Sequence, residues 1–392
     1  MASHFALSAV AGLILTLSLL TVTTSLPNTA STVIGATYSA STAATYPTPP
    51  TPERVASTVS SLGISSLRLD FSDPALVRAF LYSNTTLLLT IPNPLVPPLA
   101  ANRSNALRWL YAHVVPFFPR TKISAISVGN DLLEATPEFS QFLIPAIRNV
   151  HLALLDLGIR KIAVSTTFSF VNVVTTPFPP STAQFQDAPL QTVIRPLLQF
   201  LRDTNSSFFI NIYPYNQYRL RSEIPISFPL FQEHPFSFRD DVTTGVRYRN
   251  LFDMMVDAVI SSMAVAGHEN IPLIVTETGW PSSSTDPSEV DANPVYAELY
   301  FKGLVGHLKS GRGTPLRKEG VTAVYIYELI DKQVKQGRNW GILFPNMTKK
   351  YKIDYSSGSG SILVGFGFLE MVIGQVLVFA FLLRGNAAIS LL

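Results

Sequence analysis

Along the middle of this chain, helix-like and strand-like patterns alternate eight times over, and that recurrence constrains the fold more than any other feature. Val55, Val59 and Leu62 fall at i, i+4 and i+7 on one helical face, Gly63 closes the helix, and "ISSLRLD" follows as a strand. Ile147, Val150, Leu154 and Leu157 repeat the arrangement, closed by Gly158 and followed by "IRKIAVS". The two junctions even share letters, "LGISSLRL" against "LGIRKIAV". The strand-like runs are "TVIGATY" (32–38), "ISSLRLD" (64–70), "TLLLTIP" (86–92), "ISAISVG" (123–129), "KIAVST" (161–166), "FFINIYP" (208–214), "PLIVTE" (272–277) and "VTAVYIY" (321–327). Most are almost continuously apolar, as parallel strands covered on both faces should be. Eight β/α units across residues 31–355 imply an α/β chain folded as a single (β/α)8 TIM barrel. A doubly wound open sheet would want a Gly-rich phosphate turn after the first strand, and "GATYSAS" is not one.

Composition agrees with a large single core. Of 392 residues, 47% are hydrophobic and 14% charged, and cysteine is absent, which removes disulfides and thiolate metal sites. The net charge of +3, without a basic cluster, gives no reason to expect nucleic acid as a partner. His4, His113, His151, His234, His268 and His307 lack ligand spacing, so a metal centre is not expected.

Both ends differ from the middle. "ALSAVAGLILTLSLLT" (6–21), followed by small residues, reads as a signal peptide over residues 1–25, with cleavage expected within 25–30. Residues 356–392 open with Ser and Gly and continue into an apolar stretch at 362–383. That order suits replacement by a GPI anchor, whereas 22 residues also suffice for a retained membrane span; a merely hydrophobic tail is the third reading. Sequons at Asn84, Asn102, Asn205 and Asn346 fit secretion to the outer face of the plasma membrane or the cell wall, and a monomer is expected.

In a barrel of this class the C-terminal ends of the strands converge on one face, where active sites lie. The strand ends here carry Tyr38, Asp70, Asn130, Asp131, Tyr213, Tyr215, Glu277 and Trp280. Carboxylates, an amide and aromatic rings around one mouth suggest a sugar site. Each residue alone could be ordinary strand-end polarity; the set is harder to explain that way.

"SVGND" and "VTETGWPS", at the ends of the fourth and seventh strands, resemble the two signature regions of plant endo-1,3-β-glucanases, family 17 of the glycoside hydrolases. "IGATYS", "LRLDFSDPALVRAF", "NIYPY" and "VYIYELIDKQVKQGRNWGIL" match further family segments in order, from about 32 to 355. The resemblance implies retaining hydrolysis of a β-1,3-glucan such as callose, with no cofactor, by two carboxylates. By position Glu277 is the nucleophile and Asp131 the acid/base, with Tyr38, Asn130, Tyr213, Tyr215, Trp280 and Lys332 as substrate-binding candidates. Three departures surround that centre. Asp131 stands where the family has glutamate, Asp70 where it usually has tyrosine, and Lys332 where it usually has glutamate. An ammonium at 332 could act on Glu277, or it could pair with Asp70. A surface glucan-binding protein with impaired turnover, and a hydrolase or transglycosylase on another β-glucan, are the competing functions.

Overall fold

A computed structural model describes residues 32–39, 50–332 and 337–357. Eight parallel strands form a closed barrel: β1 (Val33–Tyr38), β2 (Ser66–Leu69), β3 (Thr86–Ile91), β4 (Lys122–Asn130), β5 (Ala163–Ser169), β6 (Phe208–Asn211), β7 (Leu273–Thr278) and β8 (Ala323–Ile326). Each strand pairs with its successor, and β8 returns to β1 through Val33–Ala36 against Ala323–Ile326. The TIM-barrel expectation holds.

Local chemistry explains the boundaries. Helix Pro52–Ser61 starts at Thr51, whose side chain accepts the Arg54 N–H, with Pro52 supplying a ready helical φ. Its Val55 and Val59 are wholly buried against the barrel. Helix Ser140–Asp156 buries Ile147, Val150 and Leu154 in the same way. β5 runs three residues past the expected end because Thr166 and Thr167, though polar, point into protein, where Thr167 Oγ1 lies 3.0 Å from Ser127 Oγ. β6 stops earlier than expected, since Pro214 opens a short helix, Pro214–Arg219. The long connection after it contains a two-stranded antiparallel hairpin, Arg239–Asp241 with Val246–Tyr248, that the apolar periodicity did not reveal.

The last described residues return to the base of the barrel. Ser357 Oγ accepts the Ile34 N–H at 3.0 Å and lies 2.6 Å from Ser65 Oγ. Among the described residues, no helix is long and apolar enough to cross a membrane. The expected signal peptide and the apolar run 362–383 lie outside the described residues. All four sequon asparagines are exposed.

Candidate active site

The C-terminal ends of β2, β4, β6, β7 and β8 bring charged and polar groups to one place. β4 ends in Val128-Gly129-Asn130, with Asp131 next. Gly129 adopts φ +82, and a Cβ there would sit 2.9 Å from Asn93 Oδ1, so the position needs glycine. Asn93 clamps the turn from both sides: its Oδ1 accepts the Asn130 N–H at 2.9 Å and its Nδ2 donates to the Asn130 carbonyl at 3.0 Å. Asp131 is itself left-handed, at φ 46, ψ 37. That conformation is uncommon outside glycine and is tolerated best by Asn and Asp.

Asn211, at the end of β6, holds the Asp131 carboxylate. Its Nδ2 donates to Asp131 Oδ2 at 3.0 Å and lies 3.3 Å from Asn130 Oδ1, while its own Oδ1 accepts from Thr276 Oγ1 at 2.9 Å. Asn211 is also the register partner of Glu277 across the β6–β7 pairing. Asp131 Oδ1 is buried with no hydrogen-bond partner. Burial first, then the charge of Glu277, pushes the Asp131 carboxyl up to about 7, against the opposing Asn211 hydrogen bond.

Glu277 is almost wholly buried and held at both oxygens. Tyr213 donates its hydroxyl to Oε2 at 2.6 Å, and the Arg68 guanidinium pairs with Oε1. Burial, reinforced by the Glu277 charge, drives the Tyr213 phenol well above its ordinary range, so it remains a donor. Arg68 is fully buried within β2 and lies 3.7 Å from Asp70 as well. Burial works against its charge, yet Glu277 and Asp70 leave it more basic than usual. Arg68 was not among the sequence candidates. Its signal was there: it is the one charge inside the otherwise uncharged run "ISSLRL".

Lys332 requires a correction. Its ammonium pairs with neither Glu277 nor Asp70; it sits 3.3 Å from Glu328 Oε2 and donates to Tyr327 Oη at 3.0 Å. Asp70 instead faces Arg68 and accepts from Ser39 Oγ at 3.4 Å. Burial raises the Glu328 carboxyl to about 7, against the attraction of Lys332.

Two aromatic assignments are also corrected. Tyr215 and Trp280 are fully buried, so neither can offer a ring face to a sugar. Their rings meet edge to face at 4.8 Å, Trp280 Nε1 donates to the Asp291 carbonyl at 2.9 Å, and Tyr215 donates to Glu289 at 3.0 Å. They brace the wall of the site from beneath. The cause is the close approach of β7 and β8: a Cβ on Gly279 would lie 2.3 Å from the Tyr327 carbonyl, and Trp280 turns inward after it. Half-buried rings beside Glu277 come from Tyr213, Tyr327 and Trp340, with Tyr213 and Trp340 centroids 5.1 Å apart. Tyr38 ends β1 and is buried, while Asn130 is half-buried beside Asp131.

Behind these rings, Glu289 ties three segments together. It accepts from Arg338 Nε and Nη2, each at 2.7 Å, from Arg219 at 2.5 Å and from the Tyr215 hydroxyl. The Arg338 hydrogen bond is the largest influence on Glu289, and it lowers the pKa of that carboxyl. Ser283–Ser284 pair with Arg338–Asn339 alongside, which fixes the wall that carries Trp340.

A parallel barrel presenting two carboxyls close enough for the charge of one to act on the other, with one of them gripped by a guanidinium and a phenol, has the parts of an acid–nucleophile glycosidase site. The glycosyl hydrolases family 17 model matches residues 45–355, and the chain belongs to that family. Glucan endo-1,3-beta-glucosidase 2 of Arabidopsis thaliana is 37% identical over 320 residues, covering 80% of this chain and 63% of that protein. Glucan endo-1,3-beta-glucosidase 12 of the same plant is 33% identical, covering 78% of this chain and 58% of that protein. The chain thus spans less than two thirds of the length of these relatives. Among solved structures, CJP38, a beta-1,3-glucanase and allergen of Cryptomeria japonica pollen, superimposes with a TM-score of 0.76 at 32% identity, covering 83% of this chain and 99% of that one. One of the plant beta-glucan endohydrolases solved for their distinct substrate specificities gives 0.73 at 30% identity, covering 82% and 99%.

Proposed function

We propose that this protein hydrolyses internal 1,3-β-glucosidic linkages of a β-1,3-glucan of the callose type, with retention of anomeric configuration. The observation that carries the reading is the division of labour between the two carboxyls. Glu277 is aimed by Arg68 and Tyr213, whereas Asp131 is pushed up to about 7 and keeps one oxygen without a partner. In the first step Glu277 attacks the anomeric carbon as the C–O bond to the leaving sugar breaks. The Asp131 proton passes to the departing oxygen, leaving a glycosyl ester on Glu277. In the second step the Asp131 carboxylate takes a proton from water, whose oxygen displaces Glu277 and regenerates both groups. Arg68 compensates the charge that returns to Glu277 at each turnover.

The short side chain of Asp131 favours a second reading, a surface protein that holds the glucan with impaired turnover. Relative to glutamate, it retracts the acid by about 1.5 Å. A reducing-sugar assay of the purified protein on laminarin separates the two readings. Because the first step needs protonated Asp131, kcat/KM is expected to fall as pH rises through about 7. Binding of laminarin with no reducing ends released at any pH would establish the binder instead. The N-terminal apolar run, the C-terminal tail and the exposed sequons support a secreted, glycosylated protein held at the outer face of the plasma membrane or in the cell wall.

A further inference from the structure

The C-terminal end of β2 carries a second feature besides Arg68. Among aromatic side chains within two residues of a barrel strand's C-terminal end, Phe71 alone is exposed among the described residues, at 54%. Tyr38, Phe170 and Trp280 are buried, and Tyr213 and Tyr327 are half-buried. The backbone that holds Phe71 out is fixed on both sides. Asp70 N–H donates to the Tyr38 carbonyl at 3.1 Å, and the Phe71 carbonyl accepts the Asp73 N–H at 2.9 Å. Buried Ser72 exchanges two 3.0 Å hydrogen bonds with the backbone of Thr90 on β3. Asp73 then caps the next helix through the Ala75 N–H at 2.8 Å. Because the backbone under the ring is already fixed, covering it costs no further backbone ordering.

Beside that ring stands Asp70, whose side chain is 36% exposed and only loosely engaged, 3.7 Å from Arg68 and 3.4 Å from Ser39 Oγ. Its carboxylate has acceptor capacity left. A pyranose offers an apolar face of C–H groups and a rim of hydroxyl donors, which an exposed ring and an exposed carboxylate complement. Arg68 lies between Asp70 and Glu277.

We propose that Phe71 and Asp70 form a carbohydrate subsite that takes a glucosyl unit outside the two that flank the cleaved linkage, with Phe71 stacking on the ring and Asp70 accepting from its hydroxyls. This rests on the glucan reading of the same cleft. It makes the end of β2 a specificity element for chain length, one that a disaccharide too short to reach it does not use.

The test is calorimetric binding of laminarihexaose and laminaribiose to the full chain carrying Glu277→Gln, alone and combined with Phe71→Ala, Phe71→Trp or Asp70→Asn. Covering about 50 Å² of ring is worth roughly tenfold in affinity. Phe71→Ala should therefore weaken hexaose binding about tenfold, Phe71→Trp should retain it, and Asp70→Asn should weaken it severalfold. Biose binding should be the same in all four. Equal hexaose affinity in the Phe71→Ala protein would overturn the subsite, as would an equal loss for biose and hexaose. Turnover plays no part in this measurement, so failure of the subsite and absence of hydrolysis are read separately.

Discussion

Glu277→Gln should abolish release of reducing ends from laminarin, by roughly four orders of magnitude or more, while the protein stays folded. The amide cannot form the glycosyl ester, yet it fills the same volume and still offers an oxygen to Arg68. A second consequence distinguishes loss of a nucleophile from general damage. The Glu277 charge is the second influence, after burial, that raises Asp131 to about 7. Removing it should lower the Asp131 pKa, which carboxyl-carbon NMR can follow on the labelled protein. If the variant turns over at the parent's rate, or if Asp131 titrates unchanged, the two carboxylates do not work as one catalytic pair.

Arg68→Met should cost about 3–5 kcal/mol of stability near neutral pH, because it leaves Glu277 buried without its counter-ion. Urea denaturation at neutral pH checks this, and the double variant Arg68→Met, Glu277→Gln should recover much of the loss. A penalty that is not relieved by Glu277→Gln would mean Arg68 matters through packing alone.

The barrel was legible because most strands are nearly unbroken apolar runs and several helices end at a glycine, as at Gly63 and Gly158. Placement of Asp131 and Glu277 on one face followed from that topology. What escaped was the direction of side chains after the strands end. Tyr213 and Tyr215 both follow β6, yet Tyr213 reaches Glu277 whereas Tyr215 packs behind it against Trp280. Period-two alternation applies within a strand, and it lapses once Pro214 turns the chain into a helix. Ion pairing was equally hidden: the sequence suggests Glu277 and Asp70 for Lys332, and the fold gives it Glu328 instead. Arg68 was missed for the opposite reason. A charge inside a buried strand is costly unless paired, so its presence in β2 already implied a buried carboxylate across the barrel.

The stereochemistry of the first product tests the central claim most directly. Proton NMR of laminarin digestion at early times, before mutarotation, resolves the two anomers at the newly formed reducing end. Attack by Glu277 followed by water predicts the β-anomer first, with α appearing later at the rate of spontaneous mutarotation. The α-anomer appearing first would contradict a covalent intermediate on Glu277, and with it both the nucleophilic role of Glu277 and the acid/base role of Asp131.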